Sequence, residues 1–130
     1  MRVYIVDGSN MVRRPGYDPR FPEVEVRRTE TMLDRLCRAA APWAGRIRVE
    51  IFFDGPRREM VPVEPPVSVR FSIDGDADAA ILGAARATLA RGRGVVVATA
   101  DRQLAAELLQ EGARVIGFSE LERRLREGKI

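Results

Sequence analysis

Four aspartates stand at or just beyond the ends of apolar runs that read as buried strands. Asp7 follows Val3-Tyr4-Ile5-Val6 and Asp54 follows the run from Val49 to Phe53. Asp78 lies beyond Val67 to Phe71, and Asp101 beyond Val95 to Ala98. If these strands are parallel, the four carboxylates converge on one edge of one sheet, where open parallel sheets bind ligands. Carboxylates so gathered repel one another and cost stability unless a cation or shared protons offset them. A metal ion is the leading explanation. The plainer alternative is helix N-capping, the commonest use of an aspartate just after a strand. That alternative is open for each one singly, and Asp74 and Asp76 read as caps. Asp54 is the least secure member, because Asp54-Gly55-Pro56 is also an ordinary turn sequence.

Helical phase chooses among the acidic residues 74, 76 and 78. Counting from Asp78, the positions three, four, seven and eleven residues on are Ile81, Leu82, Ala85 and Leu89. Asp78 therefore opens the apolar stripe and faces the sheet, while Asp76 is off the stripe, facing solvent or capping the helix. The same count from Asp101 meets Leu104, Ala105 and Leu108, which places Asp101 on an inward face.

Basic and aromatic residues surround these positions. The loop from Val12 to Phe21 carries Arg13, Arg14 and Arg20, with Tyr17 between them and Phe21 directly after. Arg57 and Arg58 follow Asp54, and Arg102 follows Asp101. Guanidinium groups around an acidic centre suit a phosphodiester: arginines hold the backbone, aromatic rings stack bases and carboxylates hold Mg²⁺. The competing reading is a solvated loop that uses arginine for solubility.

The elements that must position these residues alternate between strand and helix. Strands are expected near 3–6, 47–53, 67–73, 94–99 and 114–117. Helices are expected near 24–43, with apolar Met32, Leu33, Leu36, Cys37, Ala40 and Trp43, then at 76–90 and 101–111. Gly112 ends the helix at 101–111 as a C-terminal cap, and Ser119 with Glu122 forms a capping box for a last helix. Residues 13–23 and 55–66 read as polar or Pro-rich connections. The fold class that follows is α/β: a three-layer α/β/α sandwich around a parallel sheet of about five strands, one domain over residues 1–130.

Composition narrows the chemistry further. The chain has no histidine, which removes Ser-His-Asp and Cys-His catalysis and His-bearing zinc sites together. Its one cysteine, Cys37, excludes an internal disulfide, fits a reducing cytoplasm and falls among core positions of a helix. No run is long enough for a membrane span, and the N-terminus lacks a signal peptide's layout, so the expected location is cytoplasmic. The net charge is +3 and Lys129 is the only lysine, so the positive charge is almost wholly arginine, whose planar fork suits phosphate.

The segment Val6-Asp7-Gly8-Ser9-Asn10-Met11-Val12 resembles the first-strand signature of NYN domains in the PIN-like nuclease group. Phe53-Asp54-Gly55, Gly75-Asp76-Ala77-Asp78 and Ala98-Thr99-Ala100-Asp101-Arg102 follow in the expected order, and the whole looks most like the bacterial YacP-like NYN proteins. The resemblance implies a PIN-like fold and an Mg²⁺- or Mn²⁺-dependent endoribonuclease. By it, Asp7, Asp78 and Asp101 hold the metal, and Asn10 orients a carboxylate, a water or the scissile phosphate. Thr99 supports the site, and Asp54 is a supporting or second-metal residue. PIN-type sites often include a helix glutamate, for which Glu30 is the nearest candidate. Position 9 is serine where many such sequences carry an aromatic residue, a departure that bears on base stacking.

Without histidine, a metal-activated water is the straightforward nucleophile, so products with 5′-phosphate and 3′-hydroxyl ends are expected. Arg102 or a second metal would stabilise charge developing on the phosphate. Expected partners are RNA, single-stranded or structured, and no membrane, with a homodimer left open. Three other readings compete: a non-catalytic RNA-binding module with a degenerate metal site, a receiver-like phosphoacceptor and a mononucleotide-binding domain. The receiver reading lacks its lysine, since Gly117-Phe118 follows the fifth strand. The mononucleotide reading lacks a Gly-rich phosphate loop.

Overall fold

Strict alternation of inward-facing residues along the apolar runs builds the sheet. In the computed structural model, which describes residues 1–13 and 18–130, five strands pair in parallel: β1 (Arg2–Asp7), β2 (Ile47–Asp54), β3 (Val67–Ser72), β4 (Val95–Ala98) and β5 (Arg114–Ile116). Their order is β3-β2-β1-β4-β5. Tyr4 and Val6 of β1 join one core, beneath α2 (Pro22–Ala40) and α5 (Phe118–Glu127), while Val3 and Ile5 join the other. That second core lies beneath α3 (Asp78–Ala90) and α4 (Arg102–Glu111). Both faces of the central strands are thus covered, which is why they read as continuous apolar runs. This is the expected α/β architecture with helices on both sides of a five-stranded parallel sheet.

The chain first builds outward from β1 through β2 to β3, then crosses back to β4 on the far side of β1. The sheet therefore reverses its winding between β1 and β4, and the crevice at their carboxyl ends is the place such sheets bind ligands. Glu50 interrupts the apolar run of β2. It is buried but ion-paired, with Arg70 at 2.7 Å and Arg48 at 3.7 Å.

Several boundaries differ from the sequence reading. A short helix, α1 (Gly8–Val12), follows β1 without a break. The long helix begins at Pro22, and Ala41–Trp43 form a 3-10 turn instead of its last turn. Pro42 accounts for this change, because it has no N–H to donate to the helix ladder. Trp43 donates its indole N–H to the Leu125 carbonyl (2.7 Å), tying that turn to α5. The capping box does not form. Gly117 is the N-cap of α5, with no side-chain bond, and Glu122 instead pairs with Arg35 of α2 through two hydrogen bonds of 2.8 Å. Gly112 does cap α4 in the left-handed conformation (φ 94°), and Cys37 packs against the core. Among the described residues, no helix is long and apolar enough to cross a membrane.

Candidate active site at the switch point

Asp7 is the last residue of β1, and its 4% exposure makes it a buried carboxylate. The Thr99 hydroxyl donates to Asp7 Oδ2 (2.9 Å), and the Asn10 N–H makes a long bond to Asp7 Oδ1 (3.4 Å), so Asp7 also caps α1. Thr99 Oγ1 in turn accepts from the Asp101 N–H (3.1 Å), and Asn10 Oδ1 accepts from the Ala100 N–H (3.2 Å). These bonds join the ends of β1 and β4 across the switch point. The tight turn from β1 into α1 depends on Gly8. A Cβ there would stand 2.8 Å from both the Phe52 carbonyl oxygen and the Phe53 ring.

The other two carboxylates arrive on helix starts. Asp101 is the N-cap of α4: its Oδ1 accepts from the Gln103 and Leu104 N–H groups at 3.0 Å each. Capping and facing the cleft therefore coexist in Asp101, since only one oxygen is used for the cap. Asp78 opens α3 ahead of buried Ile81 and Ala85, as helical phase requires. The α3 start is held from outside the helix. Asp54 Oδ1 accepts from the Ala77 N–H at 2.6 Å, while Asp54 Oδ2 accepts from Arg13 at 2.8 Å. The Asp54 N–H donates to Ser9 Oγ (2.8 Å), so a buried serine fixes the backbone there. Asp76 is exposed and accepts from the Asp78 N–H (3.0 Å).

Asp7, Asp54, Asp76, Asp78 and Asp101 line one open cleft of about 310 Å³ with Asn10 and Arg13. Burial and crowding shift two of these carboxylates. Burial is the main cause that raises Asp7 above the ordinary carboxylate range, with Asp54 and Asp101 adding to it, against the Thr99 and Asn10 hydrogen bonds. Asp78 is pushed up to about 6, first by burial and then by Asp101, Asp76, Asp7 and Asp54. Hard oxygen donors that repel one another are the donor set a divalent cation relieves. Among the described residues, no three acidic side chains form a closed metal-binding cluster.

The model of the YacP-like NYN domain matches residues 4–129. The chain belongs to the YacP-like NYN domain family. That is a family of nuclease-type domains. Two structures of Rae1 (YacP) from Bacillus subtilis share the fold, each 23% identical to this chain and covering 99% of it. One has a TM-score of 0.72 and is covered over 76% of its own length. The other, with a tryptophan-to-leucine substitution, has 0.70 and 77%. No curated protein matches the chain.

Around the cleft of this NYN domain the expected basic residues are placed unequally. Arg13 lines the cleft and is ion-paired with Asp54 (2.8 Å) and Glu25 (3.1 Å). Arg58 lies against the Phe53 and Phe71 rings, 5.6 and 5.1 Å from their centroids, and donates to the Asp54 carbonyl (3.0 Å). Arg57 and Arg102 are exposed on the flanks. Arg20 is paired with its neighbour Asp18 (2.8 Å). Arg14 and Tyr17 lie outside the described residues.

Two details depart from expectation. Glu30 does not line the acidic cleft; it borders a neighbouring groove, and the glutamate linked to the cleft is Glu25, through Arg13. Ser9 is buried, offers no stacking surface and instead holds the backbone at Asp54 through its hydroxyl. Ser9 and Glu25 carried no local sequence signal, because their roles come from partners 45 and 12 residues away.

Proposed function

We propose that this NYN domain is an endoribonuclease that hydrolyses RNA phosphodiester bonds with the help of Mg²⁺ or Mn²⁺, leaving 5′-phosphate and 3′-hydroxyl ends. The observation that carries the reading is the convergence of Asp7, Asp78 and Asp101 on one cleft at the sheet's switch point. Asp7, Asp78 and Asp101 would hold the cation, which when bound supplies Lewis-acid polarisation of the phosphate and a water of lowered pKa.

The chain's own residues supply position and charge. Thr99 holds the Asp7 carboxylate by its Oδ2 oxygen and thereby fixes where Oδ1 points. The cap bonds on Asp101 Oδ1 orient its Oδ2 oxygen in the same way. Asn10, its Oδ1 occupied by the Ala100 N–H, has its amide hydrogens left to donate to a phosphate oxygen or a water. Asp54 has both oxygens engaged and acts as a positioning residue that sets the start of α3 and so the place of Asp78. Arg102, beside Asp101, and Arg13 and Arg58, beside Asp54, supply positive charge for the RNA backbone.

The second reading, a non-catalytic RNA-binding module, draws support from the lack of a closed acidic cluster among the described residues. Asp7→Asn and Asp101→Asn separate the two. The nuclease loses divalent-dependent cleavage in both variants while keeping its RNA affinity. A binding module has no turnover to lose, and absence of cleavage by the unaltered protein under any divalent ion would favour it.

A further inference from the structure

A groove outside the acidic cleft has been given no role. It runs along one face of α2, whose residues Val24, Arg27, Arg28, Thr31, Arg35 and Leu36 recur at helical spacing over about 18 Å of helix axis. Its volume is about 660 Å³, and its floor is apolar, made by Met11 and Val12 of α1 with Met32 of α2. Its far end is closed by the Arg35–Glu122 pair that bridges α2 and α5.

We propose that this groove is a second RNA-binding site, which holds the single strand flanking the bond that lies in the acidic cleft. The inference rests on the RNA reading above and extends it to a surface that reading does not use. Three observations carry it. First, one short helix serves both sites: Asn10 of α1 lines the cleft, and the next two residues, Met11 and Val12, line the groove. The Arg28 guanidinium donates to the Val12 carbonyl (3.3 Å), bringing positive charge to that junction.

Second, the groove's charge is one-sided. Among the described residues its walls carry Arg27, Arg28 and Arg35 against one carboxylate, Glu122, which Arg35 already neutralises. Arg27 is exposed and makes no hydrogen bond or ion pair among the described residues. A polyanion is the complementary occupant. Third, guanidinium walls beside the half-buried Met11 combine phosphate contacts with an adaptable apolar surface for a base face. A duplex, with its bases stacked inside, could use only the charge. An acidic peptide would have the same charge complementarity but no reason to continue into the acidic cleft.

Arg27→Glu and Thr31→Glu test the site, because both side chains are exposed on the groove wall and neither holds the fold. Binding of a fluorescent single-stranded RNA is measured in EDTA, with Arg27→Lys as the conservative control. Each glutamate variant should weaken RNA binding on the order of tenfold with an unchanged thermal midpoint. The salt slope of binding should fall by about one in Arg27→Glu, and Arg27→Lys should restore both values. On a long RNA the same variants should raise KM with kcat unchanged.

Unchanged affinity in both glutamate variants would overturn the groove while leaving the nuclease reading intact. Weakened binding in a protein that cleaves nothing would support the groove and sink the nuclease reading. Equal weakening for single-stranded RNA, duplex RNA and an acidic peptide would overturn the single-strand assignment, and failure of the unaltered protein to bind RNA would overturn it too.

Discussion

Asp78 shows how one carboxylate reports the state of the whole cleft. Its folded-state pKa, raised to about 6 from an ordinary 3.8, means that folding favours its protonated form. The associated stability is present below about pH 4 and is lost as the pH rises through about 6. Asp78→Asn, which mimics the protonated group, should therefore melt higher than the unaltered protein at pH 7.5 in EDTA. That advantage should shrink towards pH 4. Thermal melts across this range check the sign, and an Asp78→Asn midpoint below that of the parent at pH 7.5 would contradict it.

Thr99 is the complementary case, since its hydroxyl serves Asp7 and the Asp101 N–H together. Thr99→Val should cost about 1–3 kcal/mol, because a buried acceptor and a backbone donor both lose their partner. Cleavage should fall with it, as denaturant melts and RNA assays on the same variant would show. At this scale the sequence was informative where a residue's role follows from its own segment. Helical phase alone places Asp78 at the head of the buried stripe of α3, although exposed Asp76 lines the cleft beside it. Ser9 carries no such signal, because its bond to the Asp54 N–H depends on β2 lying beside α1.

At the scale of elements, the site is a set of helix starts pinned to strand ends. Asp54 at the end of β2 reaches across to the first turn of α3 and holds the Ala77 N–H, in the manner of an N-cap supplied from another strand. Asp54→Ala should destabilise the fold by about 1–2 kcal/mol. It should also lower cleavage through displacement of Asp78, although Asp54 need not touch the metal. A fall in metal affinity equal to that of Asp78→Asn would argue instead that Asp54 is itself a ligand.

Gly8 sets how closely α1 approaches β2, and Gly8→Ala should cost about 1–3 kcal/mol by overpacking against Phe52 and Phe53, measurable by denaturant unfolding. Local patterning did not predict the helix α1, and it predicted a capping box that does not form. Five residues are too few for helical periodicity to register, and Glu122 is drawn away from its own helix terminus by Arg35, 87 positions earlier. The five strands and four longer helices were legible because their apolar periods persist for long enough.

At the scale of the molecule, strand order converts a dispersed set of aspartates into one site. Residues 7, 54, 78 and 101 are far apart in the chain, and the reversal of winding between β1 and β4 places them around one cleft. The parallel sheet was readable from alternating strands and helices. The order of its strands was not, because that order is decided by which faces the crossovers cover. The same topology crowds the carboxylates: burial and mutual repulsion raise Asp7 and Asp78 together. Mg²⁺ or Mn²⁺ should accordingly raise the melting temperature at pH 7.5 by preferential binding to the folded state, and the increase should be lost in Asp7→Asn.

Metal-dependent RNA hydrolysis is tested by incubation of the purified protein with single-stranded and structured RNA in Mn²⁺, Mg²⁺ or EDTA, followed by analysis of product ends. Cleavage that requires a divalent ion and leaves 5′-phosphate and 3′-hydroxyl ends is the predicted result. Cleavage that persists in EDTA, or products ending in 2′,3′-cyclic phosphate, would contradict it.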